Sequence, residues 1–172
     1  MSDDEKVSFY LKYRAEIEEW KQLRGPASAA LDAAIEGALR SLRDDPDVPE
    51  PTFKEGRYRY SHLGVTEDPR LWIELNWDTR YLLADGGSWP TLVVGGRLEK
   101  GPIREAVLAA TQLAVFDYGM GKTSGSGGVW LRYGQVVPDF EPIELLDYAQ
   151  HCVDRLRSAW LDLHGPMRAA VS

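Results

Sequence analysis

The amino-acid sequence predicts an α+β fold in the order α-α-β-β-β-α-β-α, with helices covering one face of a sheet. Three observations carry that expectation. Apolar residues recur at steps of three and four in 4–42, 102–118 and 142–164, the spacing of amphipathic helices. They alternate strictly in 71–78, the period of a strand. Three strand-like runs between 57 and 99 follow one another over short connections, which favours an antiparallel meander.

Residues 4–24 read as a helix on the stripe Tyr10, Tyr13, Ile17 and Trp20. Gly25-Pro26 reads as a break, since Gly suits a helix C-terminus and Pro the first turn of the next. From Ala27 the stripe Leu31, Ala34, Ile35, Ala38, Leu39 and Leu42 predicts a second helix, so 1–43 form a helical pair. Three prolines and four acids in 44–51 make an extended connector. Strands are expected at 57–60, 71–78 and 91–99, with a turn at Asp85-Gly86-Gly87. Pro102 opens a crossover helix to Tyr118, expected to be the most buried of the helices, and 119–128 form a glycine-rich loop expected to be mobile. A fourth strand at 129–133 completes a sheet core over 57–133. Because it joins after the crossover, a mixed sheet is expected. A C-terminal helix spans 142–164.

A length of 172 residues suits one domain, 1–172, with room for a sizeable core. The net charge is −7, with acids and bases interspersed, which weakens nonspecific attraction to DNA or RNA. Nucleic acid is therefore not the expected partner. The single cysteine, Cys152, excludes an intramolecular disulfide, and it borders an apolar stripe, so it reads as a small core hydrophobe. The acidic start lacks the apolar region of a signal peptide, and no run of roughly 18 apolar residues offers a membrane span. A cytoplasmic location is expected.

The apparent catalytic motifs do not hold together. Gly121-Lys122-Thr123 lacks the glycine five residues earlier, where Phe116 stands, and a helix precedes it where a phosphate loop needs a strand. Ser124 and Ser126 lack the glycine spacing of a nucleophile elbow. Asp147 and His151 lie four apart on one helix face, but two ligands do not make a metal site. No catalytic residue, metal or cofactor is assigned.

One sheet face is more unusual. Opposite Leu71, Ile73, Leu75 and Trp77, the second strand presents Trp72, Glu74, Asn76 and Asp78. By the same alternation Arg97, Trp130 and Arg132 are expected beside them. Indoles, carboxylates and arginines on one surface suit a protein, peptide or nucleotide ligand. A solvated face with cross-strand ion pairs would use the same residues.

The element order over 57–133 resembles the restriction-endonuclease-like core. That resemblance implies a divalent metal held by an Asp on one core strand and an Asp/Glu-x-Lys on the next. Here Asp/Glu-x-Lys occurs only at Asp4-Glu5-Lys6 and Glu19-Trp20-Lys21, on the first helix, while the strand carries Glu74-Leu75-Asn76 and Asp78-Thr79-Arg80. The resemblance thus implies an inactive relative. The opening Phe9-Tyr10-Leu11, Arg14, Ile17-Glu18 and Trp20 also resembles small uncharacterised proteins of high-GC bacteria and their mobile elements.

The leading expectation is a non-enzymatic binding or regulatory protein acting on an unknown protein partner, in a phage, immunity or defence setting. A metal-dependent nuclease-like enzyme with a degenerate site at Glu74 and Asp78 is the alternative. A homodimeric module is a third reading. The stripe Leu146, Ala149, Val153, Leu156, Trp160 and Leu163 repeats near 3.5 residues, which would place Trp160 at a dimer interface.

Overall fold

The computed structural model describes residues 3–54, 58–65, 71–78, 82, 89–122, 129–138 and 144–172. Helices α1 (Asp3–Lys12) and α2 (Arg14–Leu39) lead into a 3-10 turn (Arg40–Asp44). Strands β1 (Thr52–Lys54), β2 (Tyr58–Gly64), β3 (Leu71–Asp78) and β4 (Thr91–Gly96) follow. Helices α3 (Pro102–Ala110) and α4 (Leu113–Asp117) precede β5 (Gly121–Lys122), β6 (Trp130–Gln135) and α5 (Leu145–Ala169). The α+β class is as the sequence predicts. The expected turn at Asp85-Gly86-Gly87 and most of the glycine-rich loop, 123–128, lie outside the described residues.

The sheet runs in the order β1-β2-β3-β4-β6-β5 and every described pairing is antiparallel. The expected mixed sheet is therefore corrected. After the crossover the chain first lays down β5 at the edge, then reverses, so β6 enters between β5 and β4 running against both.

Strand β3 alternates as predicted. Leu71, Ile73, Leu75 and Trp77 point into one core cluster with Leu63, Leu92 and Val94 from the flanking strands. Above them lie Leu31, Ile35 and Leu39 of α2 and the α5 row Ala149, Cys152, Val153, Leu156, Trp160 and Leu163. The Trp77 indole donates to Asp32 Oδ1 on α2 at 2.8 Å, so the one polar atom this residue brings into the core is satisfied. Helix α5, not the crossover, is the most buried helix, because Ile103, Leu113 and Phe116 of the crossover stand exposed.

Both long helices run through a Gly-Pro step: α2 continues through Gly25-Pro26, which the sequence marks as a break, and α5 continues through Gly165-Pro166, beyond the expected end at 164. Proline normally pushes its predecessor out of the helical region by clashing with that residue's Cβ. Glycine has no Cβ, so part of the penalty is absent. In α5 the last turn is also tied down: Met167 is buried and Arg168 Nη2 donates to the Val65 carbonyl at 3.2 Å.

The crossover is two helices rather than one. The Leu108 carbonyl accepts from Arg132 Nη2 at 2.7 Å, whereas in a continuous helix it would accept from the Gln112 N–H. That N–H instead donates to Ala109 O at 3.1 Å, and the helix breaks at Thr111-Gln112.

Candidate protein-contact surfaces

The sheet face away from the helices brings together three of the expected residues, Trp72, Glu74 and Trp130. Trp72, Glu74 and Asn76 alternate along β3, and β4 presents Gly95, Val93 and Thr91 opposite them. Trp130 and Tyr133 of β6 pair with Gly95 and Val93, and their rings sit 5.9 Å apart. The Trp72 indole lies flat across Gly95, where a Cβ would fall 2.2 Å from Trp72 Cε2. Only glycine leaves room for that ring.

Laid down this way, Trp72 donates its indole N–H to Glu74 Oε2 at 2.8 Å, and Trp130 also hydrogen-bonds the Glu74 carboxylate. Glu74 is only 5% exposed, and Val93 beneath the cluster is fully buried. Burial pushes the Glu74 carboxyl above the ordinary range, and the two indole donors offset part of that shift. The solvated face with cross-strand ion pairs is not what forms at this position. A carboxylate held by two indoles forms instead.

The other predicted members separate. Asn76 and Asp78 are half-buried toward the end of β3, and Arg97 is exposed one residue beyond β4. Arg132 is a correction, since it lies on the opposite, helix-covered face. The register passes from Gly95↔Trp130 to Val94↔Arg132, so Leu131 is an extra residue in β6. Such a bulge inverts the alternation. Trp130 and Arg132 therefore face opposite ways although they stand two apart. Arg132 is buried beneath the end of α3, its Nε donating to Thr111 Oγ1 at 3.0 Å and its Nη2 to Leu108 O and Gln112 Oε1.

Trp160 is the second correction. It is 5% exposed inside its own core, donates its indole N–H to Asp47 O at 3.2 Å and stacks on His164. No surface remains for it to anchor a second subunit. Cys152 is fully buried and its thiol is pushed up to about 12 by burial, in keeping with a core hydrophobe. Among the described residues no three His, Cys, Asp or Glu side chains gather as a metal site, and no helix is long and apolar enough to cross a membrane.

Among the described residues, a long run of exposed apolar side chains lies on the N-terminal helices, along the stripe that the sequence predicts. From Asp4 to Ala27 no residue is buried, and Ser28 is the first that is. About 25 residues of helix thus extend ~37 Å without a core to cover them. Trp20 is 65% and Leu23 55% exposed, and Val7, Phe9 and Leu11 are exposed as well. Tyr13 and Ile17 are half-buried, Tyr13 against the Phe9 ring at 4.7 Å and the Lys12 ammonium. Helical periodicity found the stripe, but nothing in the periodicity says whether anything covers it. Comparison with known protein families, with curated proteins and with solved structures finds no match for this chain.

Proposed function

We propose that this chain is a non-enzymatic binding protein acting through protein contacts, and that the N-terminal helical arm is its contact surface. The observation that carries this reading is the run from Asp4 to Ala27, which presents Trp20 and Leu23 to solvent without one buried residue. Exposed aromatic and aliphatic side chains in one stripe are the usual anchors of an interface. A membrane surface fits less well. Interfacial helices carry a strongly basic polar face, whereas 3–27 hold six acids and five bases.

The charge pattern favours a second copy of the chain as the occupant. One face of the helix carries Tyr13, Glu16, Ile17, Trp20, Leu23, Arg24 and Ala27, in the spacing of a helix–helix seam. With two arms antiparallel about Trp20, Ile17 of each faces Leu23 of the other, and Glu16 faces Arg24. Apolar residues meet apolar ones and opposite charges meet at both ends of the seam.

Light scattering over roughly 1–100 µM tests this. The expected result is a dimer, converted to monomer by Trp20→Glu, by Glu16→Arg or by Arg24→Glu, and restored in the double variant Glu16→Arg/Arg24→Glu. The three residues are exposed in the monomer, so the fold tolerates each change. A monomer at every concentration, or a dimer indifferent to Trp20→Glu, overturns the reading.

A further inference from the structure

We propose that the cleft between the C-terminal end of α2 and the β1–β2 edge of the sheet binds a small monoanion with an apolar body and a hydroxyl at its far end. The cleft has a volume of about 270 Å³ and is lined by Glu36, Leu39, Arg40, Arg43, Pro51, Phe53 and Ser61. Drug-sized ligands fill about 300 Å³ or more, so this space suits a single-ring acid or a molecule of similar size.

The unusual member is Ser61. It sits on the helix-facing side of β2, paired with Leu75, and is 1% exposed. Its hydroxyl has no hydrogen-bond partner among the described residues. A buried hydroxyl without a partner costs free energy, and native proteins rarely leave one so. Ser61 lines a cleft that opens to solvent, so a small outward shift of the cleft wall brings its hydroxyl within reach of a ligand atom.

The walls and the rim define the rest of the ligand. Leu39, Pro51 and Phe53 supply apolar surface, and the Phe53 ring is held at 6.4 Å from that of Trp77. Arg40 and Arg43 contribute two positive charges and Glu36 one negative, a balance of one positive charge. Arg40 Nη2 lies 3.4 Å from Glu36 Oε1, one helical turn back. The end of α2 adds roughly half a negative charge, which is too little to reverse the sign. An anionic group is therefore expected at the arginine rim, the apolar body on Phe53 and Leu39, and the hydroxyl at Ser61.

The probe is 4-hydroxybenzoate, compared with benzoate and 4-hydroxybenzamide, followed through the amide resonances of Phe53 and Ser61. Saturable shifts with Kd of about 1 mM or below are expected for 4-hydroxybenzoate. Benzoate, lacking the hydroxyl, and the amide, lacking the charge, are each expected to bind about fivefold more weakly. Ser61→Ala should erase the preference for the hydroxyl. Arg43→Gln, at an exposed position that leaves the fold intact, should erase the preference for the acid. No saturable shift with any probe up to about 10 mM, as a lone water on Ser61 would give, overturns the proposal. So does a hydroxyl preference that survives in Ser61→Ala.

Discussion

The Trp72 indole donates its N–H to the Glu74 carboxylate two residues along the same strand, at 2.8 Å, and both residues are buried. Same-face neighbours on a strand ordinarily stand side by side without bonding. Here Gly95 on β4 gives the indole a place to lie flat, and the flat ring brings its nitrogen to the carboxylate. Trp130 meets the same carboxylate from β6. Strands β3 and β6 are thereby joined across β4 through one acidic side chain.

That carboxylate makes stability depend on pH in a direction opposite to the usual acidic residue. Burial raises the folded pKa of Glu74 above its ordinary 4.5. The folded state then holds the proton more tightly than the unfolded one. Its contribution is complete below the unfolded pKa and is lost as pH rises through the folded value. Glu74→Gln keeps an oxygen for an indole donor and removes the buried charge. Urea unfolding at pH 8 should show the variant more stable by about 1 kcal/mol, the gap closing near pH 4. A variant less stable at pH 8 than at pH 4, relative to the parent, contradicts this account of Glu74.

Gly95→Ala should be costly although it adds one methyl group. The new Cβ would stand 2.2 Å from the Trp72 ring, so the indole must move and release Glu74. Overpacking and a lost buried hydrogen bond together cost about 2–3 kcal/mol. Trp72→Val alone should also destabilise. In the double variant the added methyl no longer meets a ring, so the two penalties should fall short of their sum by about 1 kcal/mol or more. Strict additivity in a thermal-unfolding cycle argues against the contact.

How much of this was legible follows from what each signal encodes. The alternation of Leu71, Ile73, Leu75 and Trp77 reports a face, and the face is as read, because one side of β3 is apolar and a one-residue slip would bury Asn76. Arg132 was misplaced because the bulge at Leu131 leaves no mark in composition: Trp130 and Arg132 remain two apart whichever face they take. The expected break at Gly25-Pro26 fails for a related reason. Proline is a boundary for most predecessors, and glycine is the predecessor that relaxes the rule. Trp20 and Trp160 show the limit of helical spacing. Both lie on good stripes, yet one is exposed and the other fully packed, since periodicity reports a face and not its cover.

Arg132→Lys tests the joint between β6 and the crossover. The guanidinium spans three acceptors, Thr111 Oγ1, Leu108 O and Gln112 Oε1, from one rigid plane. A lysine ammonium is a point donor and cannot reach all three from the same stem. One or two buried acceptors should be left unsatisfied, at about 2 kcal/mol. The urea midpoint should fall with an unchanged slope. Amide exchange near Thr111 and Gln112 should quicken more than in α5. A substitution with no effect would mean that the broken crossover needs no side-chain support.

Trp160 provides a graded test of core against interface. Its ring packs in the cluster formed by α5, α2 and the sheet, and its N–H holds the Asp47 carbonyl. Asp47 lies in the connector that Arg157 also grips through Asp45 and Asp47, so the indole helps fasten that segment to α5. Trp160→Phe keeps most of the buried area and loses one hydrogen bond, for which about 1 kcal/mol is expected. Trp160→Ala also opens a cavity, raising the loss to about 3–5 kcal/mol. Neither loss should vary with protein concentration, because the ring's partners all belong to its own chain. Thermal unfolding of the two variants at several concentrations checks both points. A midpoint that rises with concentration in the parent but not in Trp160→Phe would return this residue to an interface.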